Sequence, residues 1–549
     1  MEGINTANMD HHGIVAALCK DLQIAERIDK RLFPDVNRKV SPGQGVVAMI
    51  INGLGYTNRT LYMSHHFFAS KPIDRLLGGN IQAEDLTDHT LARALDDIAA
   101  YGSSKLFMEI AMEIAIEHHL LSPINHLDTT SLSLEGSYEG QEEEQTITIT
   151  HGYSKDHRPD LKQVVLSLVV NGPSGIPICM EALSGNSSDK TSFHQTISQV
   201  EAFKKQIDLK QAYTWVADAA LYTPDKLLKM KDCTWLTRVP ENIKQAKLIV
   251  ETPDSSITWQ EQTKGYKTSS YISHYGGIEQ RWLLIYSQES YQREKKALEN
   301  KLAREHDKLK QSLWHLSNQV FSCQPDAKKA IEKIVSQHKL QTISYQLKEI
   351  KGYARVGKPK AGEEQVIKGY QVASSFVENQ QEIDRLLVKK GRFILATNNL
   401  DKQELSDQAM LCTYKDQQQV EGGFRFLKDP WFMVDAVYLK LPRRIEALMM
   451  VMTLTLLVYN VGQYNMRQRL KEAQTTLPNQ LGKQVSNPTL RWVFQILEGI
   501  GIIYFNNRTT EGVEQSHISN MDLLRVKIIG LFGANARSMY DIDAQKRAA

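Results

Sequence analysis

Two apolar, β-branched runs, Val164-Val-Leu-Ser-Leu-Val-Val170 and Ile176-Pro-Ile-Cys-Met-Glu-Ala-Leu183, flank the turn sequence Asn171-Gly-Pro-Ser-Gly175. Runs of this length bounded by Asn, Gly and Pro read as the two arms of a β-hairpin. The hairpin constrains what surrounds it. Residues 124–134 form a further strand, with His126, Asp128 and Thr130 on one side of the pleat. A helical segment near residues 190–207 follows. Then come the strand Tyr213-Thr-Trp-Val-Ala-Asp218, a helix start at Thr223-Pro224-Asp225, and the strand Cys233-Thr-Trp-Leu-Thr-Arg-Val239. Three strands, a helix, a strand, a helix and a strand predict an α/β layer built on a mixed sheet.

At 549 residues the chain exceeds what one hydrophobic core supports, and three or four domains are expected. Residues 1–118 read as short helices, with Thr87 offering a cap before Leu91. Gly43-Gln-Gly45-Val-Val-Ala48 superficially fits a dinucleotide fingerprint, but no strand precedes it and Pro42 suits a helix start. Residues 119–240 hold the strand pattern above. Residues 241–390 break its rhythm: 291–321 is a charged helix with a leucine stripe, read as packing on its own domain in preference to a coiled coil. Lys351, Lys358, Lys360 and Lys368, interleaved with Tyr353 and Tyr370, form a candidate phosphate-tracking patch, against the plain alternative of a solvated loop. Residues 391–470 return to a strand at 392–398 and two helices, and 471–549 are expected to be a C-terminal helical region.

Composition is that of an ordinary soluble globular protein, 42% hydrophobic and 23% charged. A net charge of +3 permits nucleic acid as a partner without demanding it. The five cysteines are scattered and never paired as C-x-x-C, which argues for reduced thiols, a cytoplasmic protein and no zinc site. No signal peptide is expected from the first residues. The most apolar stretch, 447–461, falls short of the ~20 residues that span a bilayer, so a buried helix is expected and no membrane.

The chemistry-bearing residues are carboxylates. Asp128 lies within a strand and Asp218 at the end of one, where α/β sheets collect ligands. Either aspartate alone reads equally as a turn cap. Farther on, Tyr414, Gln417, Glu421 and Lys428 sit at steps of three, four and seven, which places them along one face of a continuous helix over 414–428. Arg425, one turn beyond Glu421, is near the same face, and Gly422-Gly423 either permits close approach or is a plain helix irregularity. Taken together, carboxylates from two strands and a helix suit Mg²⁺, because they are hard oxygen ligands. Two such ions ~3.5–4 Å apart serve phosphodiester cleavage. His126 reads as a structural histidine or as a residue tuning that site.

The segments His126-Leu-Asp128-Thr-Thr-Ser131, Trp215-Val-Ala-Asp218-Ala and the 414–428 stretch together resemble the DDE transposases of bacterial insertion sequences. The group is the insertion-sequence-four superfamily, marked by Tyr-x2-Arg-x3-Glu-x6-Lys. Tyr414, Glu421 and Lys428 match that spacing, while Gln417 stands where the pattern has arginine. His151-Gly-Tyr-Ser-Lys-Asp156-His-Arg-Pro-Asp160 is similar to the branch with an N-terminal helical domain and a long insertion. The resemblance implies a ribonuclease-H-like core interrupted by an insertion domain (residues 241–390). It makes Asp128, Asp218 and Glu421 the catalytic and metal-binding residues, with two Mg²⁺ ions that Mn²⁺ can replace. Tyr414 and Lys428 become phosphate contacts, with Gln417 at the third contact position; apart from the resemblance, Arg425, near the same face, is expected to supply the charge that Gln417 lacks. It further implies cut-and-paste transposition by a nucleoid-associated protein, acting as a homodimer on terminal inverted repeats and target DNA, with the N-terminal domain reading the ends. The alternatives are a nuclease of the same fold that cuts without joining, and a DNA-binding protein that has lost chemistry.

Overall fold

The computed structural model describes residues 4–56, 63–136, 138, 146–187, 189–354, 362, 364–429, 439–508 and 514–543. Its contacts divide the chain into two units, residues 1–236 with 412–549, and residues 237–411.

In the first unit the expected succession of strands and helices is present: Ile124–Leu134, Lys162–Asn171, Ile176–Ser184, the helix Asp189–Gln206, Thr214–Ala217, the helix Pro224–Lys229, and Thr234–Arg238. Across the sheet the core strands lie in the order third, second, first, fourth, fifth. The first three are antiparallel, and the fourth runs parallel to the first. This is the mixed, ribonuclease-H-like α/β arrangement that the resemblance implies. The turn Asn171–Gly175 closes as read, with Gly172 and Gly175 at positive φ. Residues 146–150, a Thr-Ile-Thr-Ile-Thr run, contribute a single bridge, Thr150 to Gln163, and no regular strand.

The N-terminal helices share this unit. Ser41 caps the helix Pro42–Gly53 through a capping box with Gln44, and Pro42 occupies its first turn. A Cβ on Gly43 would lie 2.3 Å from the Ala25 carbonyl. The glycine therefore serves helix-to-helix approach and not a nucleotide phosphate. The apolar stretch extends farther than expected, as the helix Pro442–Glu472, long and apolar enough to cross a membrane by length and composition. Its apolar window is 89% buried, against the helices Pro42–Gly53, Asp88–Tyr101 and Ser103–Glu117 and the strand Ile176–Ser184. It is a core helix.

The expected all-helical C-terminus is corrected. Gly501–Arg508 pairs antiparallel with Glu514–Ser519 on one side and with the N-terminal strand Ile4–Asn8 on the other. The Ile502-Ile-Tyr-Phe505 run favours strand through its branched and aromatic side chains.

In the second unit, Tyr266–Ser273, Gln280–Ser287 and Arg392–Thr397 form an antiparallel run. The strand Arg392–Thr397 pairs antiparallel with Gln280–Ser287 and neighbours the strand Thr234–Arg238 on its other side. The helix Gln288–Ser317 buries Leu309, Leu313 and Leu316 with Ala327, Ile331 and Val372, so its stripe packs on its own unit. Of the lysine patch, Lys351 pairs with Glu349 at 3.6 Å, and Tyr370 packs, partly buried, against the hydrophobic cluster. Lys358 and Lys360 lie outside the described residues.

Candidate active site

Sheet register brings two of the carboxylates together. The parallel pairing of Ile124–Leu134 with Thr214–Ala217 ends at the pair Leu127–Ala217. Asp128 and Asp218 are the next residue on each strand, and residues in register point to the same face. Asp218 is extended (φ −71°, ψ −177°), so it continues its strand before the chain turns. Both are half-buried. Asp128 Oδ1 accepts from the Thr129 N–H at 2.7 Å, and Asp218 Oδ1 accepts from the Ala220 N–H at 2.9 Å. Asp218 therefore caps its turn and faces Asp128 at once; the two readings of that residue are compatible.

Glu421 arrives on the helix Gln418–Leu427. Val420, Gly423, Phe424 and Leu427 are its buried face, at steps of three, one and three. That face rests on the strands Ile124–Leu134 and Lys162–Asn171 and on the helix Pro442–Glu472. A Cβ on Gly423 would meet Leu456 at 3.1 Å and Leu168 at 3.8 Å. Leu168 is the cross-strand partner of Asp128, and directly opposed residues share a face. The helix thus crosses the sheet at the level of Asp128, on the side to which Asp128 points. Glu421 is exposed. Among the described residues no three His, Cys, Asp or Glu side chains form a group close enough to hold a metal ion. Asp128 and Asp218 fit a hard divalent cation by donor type, adjacency and partial burial. The helix that carries Glu421 packs on that side of the sheet, and Glu421 itself is exposed and does not join their cluster.

A family described as "Transposase DDE domain" matches residues 122–460, which include all three carboxylates. The chain belongs to this DDE transposase family. Residues 4–112 match a domain of unknown function (DUF4277). No curated protein matches the chain. Among solved structures, a piggyBac transposase synaptic complex with hairpin DNA aligns over 88% of this chain and 79% of its own, at 10% identity and a TM-score of 0.36. A likeness that distant carries no argument about the site. Membership makes the chain a nucleic-acid-cleaving enzyme of a metal-dependent family.

The transposase does not present its signature residues on one helical face. The helix expected over 414–428 is two: Asp407–Lys415, which carries Tyr414, and Gln418–Leu427. Between them Gln417 N–H bonds the Tyr414 carbonyl (3.2 Å), Gln419 N–H bonds Asp416 (2.9 Å) and Val420 N–H bonds Gln417 (3.0 Å). These i→i+3 bonds overwind the chain relative to an α-helix. The face rotates across the turn, and Gln417 ends 9% exposed. A buried amide is no phosphate contact, which corrects that expectation. Tyr414 is half-buried. Arg425 is exposed one turn after Glu421. Lys428 is ion-paired with Asp156 at 2.6 Å.

His126 is buried, and burial pushes its imidazole down to about 4. It is therefore neutral across the ordinary working range, as befits a core histidine. Composition and periodicity did not flag Lys155 or Asp156, which lie in a turn outside the regular elements. Lys155 Nζ donates to the Thr129 carbonyl (2.7 Å) and Oγ1 (3.0 Å) and lies 4.0 Å from Asp128 Oδ1. The one signal pointing to them was the His151–Asp160 run.

Proposed function

We propose that this chain is an insertion-sequence transposase of the insertion-sequence-four group, catalysing cleavage at element ends and transfer of the freed strand into target DNA. The observation that carries the reading is the seating of the Glu421 helix over Leu168, the cross-strand partner of Asp128. It brings the helix that carries Glu421 to the side of the sheet on which Asp128 lies, and this supports Glu421 as the third carboxylate.

In this reading Asp128, Asp218 and Glu421 hold Mg²⁺, two ions in all, with Mn²⁺ able to replace it. Bound metal supplies Lewis-acid stabilisation of charge on the phosphodiester and activation of the attacking oxygen. The protein's own part is placement. The sheet fixes two carboxylates through backbone N–H bonds, and the helix brings the third with a modest closing movement. Arg425 and Tyr414 contact phosphates near the cut, Arg425 providing the charge absent at Gln417. Lys428 does so after exchanging Asp156 for phosphate. The substrate is double-stranded DNA: terminal repeats bound by residues 1–118, then target DNA, with two copies of the chain joining two ends. The setting is the cytoplasm, on the nucleoid.

The test is an assay with labelled duplexes carrying the sequences that flank the coding region, with Mg²⁺. Nicked ends and joined products, both lost in Asp128→Asn, are expected. Hydrolysed ends without joined product turn the reading to a nuclease. DNA binding with no cleavage under any metal turns it to a protein that has lost chemistry.

A further inference from the structure

Residues 151–160 reach the carboxylate face from outside the strand-and-helix framework. Their backbone is held at three points. Gly152 is packed so closely that a Cβ would lie 2.0 Å from the Gly185 carbonyl oxygen. The Tyr153 carbonyl accepts from Gln163 Nε2 at 3.2 Å, and the Gln163 side chain is buried, bonding the Gly185 carbonyl at 2.7 Å as well. The Lys155 N–H donates to Ser131 Oγ at 3.0 Å. On this fixed backbone the Tyr153 ring is 85% exposed. Lone exposed aromatics are common on protein surfaces. This one stands two residues from an ammonium placed 4.0 Å from Asp128.

The other charges of the segment are engaged elsewhere. Asp156 pairs with Lys428, and Arg158 grips Asp160 through two nitrogens. Lys155 is the cation directed at the carboxylates. An ammonium is a compact charge with three rotatable donors, so Lys155 can exchange one of its present contacts for a phosphate oxygen.

We propose that residues 151–160 grip the DNA strand: Lys155 takes the phosphate beside the carboxylates, and Tyr153 stacks on a base farther along the same strand. Register gives the spacing. Gln163, which anchors Tyr153, pairs with Ser133, five positions along the strand from Asp128. At about 3.3 Å per residue that is roughly 17 Å, or about five nucleotides at ~3.4 Å each. The inference rests on the reading of this chain as a DNA-cleaving transposase.

The test uses the full chain and a duplex carrying the terminal repeat that flanks the coding region. 2-Aminopurine is placed in turn at each of the positions around the cut. Wild-type protein is expected to change the fluorescence most at a base about five nucleotides from the scissile phosphate. Tyr153→Ala is expected to lose that signal and roughly 5- to 150-fold in affinity, with Tyr153→Phe restoring both. Lys155→Gln is expected to weaken binding about 10- to 150-fold on the natural phosphate, but not on a duplex whose scissile phosphate is a neutral methylphosphonate. Lys155→Arg should recover part of the loss. Wild-type affinity and signal in Tyr153→Ala, or an equal loss on both duplexes in Lys155→Gln, would overturn the proposal. Cleavage is scored separately with Asp128→Asn: if wild type binds but never cuts, the transposase reading fails while the binding arms still decide the strand grip.

Discussion

Asp128 and Asp218 on the sheet, and Glu421 on its helix, are three carboxylates held by two kinds of support. The sheet pair is set by register: one-residue slips would turn every neighbouring side chain over, so the buried core specifies the pairing of Leu127 with Ala217 and with it the two aspartates. Glu421 has no such ladder. Its place depends on how four apolar residues of a ten-residue helix seat on the sheet and on Pro442–Glu472, and on a tight turn just before it. The sheet pair is set by strand register, whereas the place of Glu421 is set by side-chain packing. A division of that kind suits an enzyme that assembles its site around metal and DNA.

The largest expected effect tests whether the two halves belong to one site. Asp128→Asn or Asp218→Asn should lower cleavage by about 10³-fold or more without changing thermal stability, since metal-borne charge stabilisation amounts to several kcal/mol. Glu421→Gln should match them. A Glu421→Gln enzyme within a few-fold of wild type would break the comparison by removing the helix from the chemistry.

Smaller effects test the seating. Gly423→Val should overpack against Leu456 and Leu168 and cost about 1–3 kcal/mol in denaturant titrations. No loss would mean that the helix does not rest there. Gly422 faces open space, so Gly422→Ala should stabilise by up to about 1 kcal/mol. A clear destabilisation would show a contact that only glycine permits. The smallest effect is at the rim. Lys428→Met removes a partly exposed pair with Asp156 and should cost about 1 kcal/mol or less. A loss of several kcal/mol would make the 151–160 segment a structural tie of the helix.

Much of the core was legible because its signals are local. The hairpin runs, the turn at Asn171–Gly175 and the alternation of strands and helices up to Arg238 each announce themselves within a dozen residues. The Ser41-Pro42 helix start was legible for the same reason. Of the C-terminal strands, Gly501–Arg508 pairs with Ile4–Asn8, nearly the whole chain away, whereas Glu514–Ser519 pairs with its near neighbour Gly501–Arg508 and was missed although that partner is local. The overwound turn at Gln417 was missed because nothing in Tyr414-Lys-Asp-Gln-Gln-Gln419 forbids a continuous α-helix.

By itself the sequence determined the succession of core strands and helices, the strand positions of both aspartates and the family to which the chain belongs, since periodicity and motif spacing need no distant partner. Tertiary structure alone decided that Gln417 is buried, that the Glu421 helix lies over Leu168, and that Lys155 and Asp156 come to the site. Those outcomes depend on which apolar face finds a seat on a sheet assembled from distant segments. No stretch of the chain encodes that seat alone.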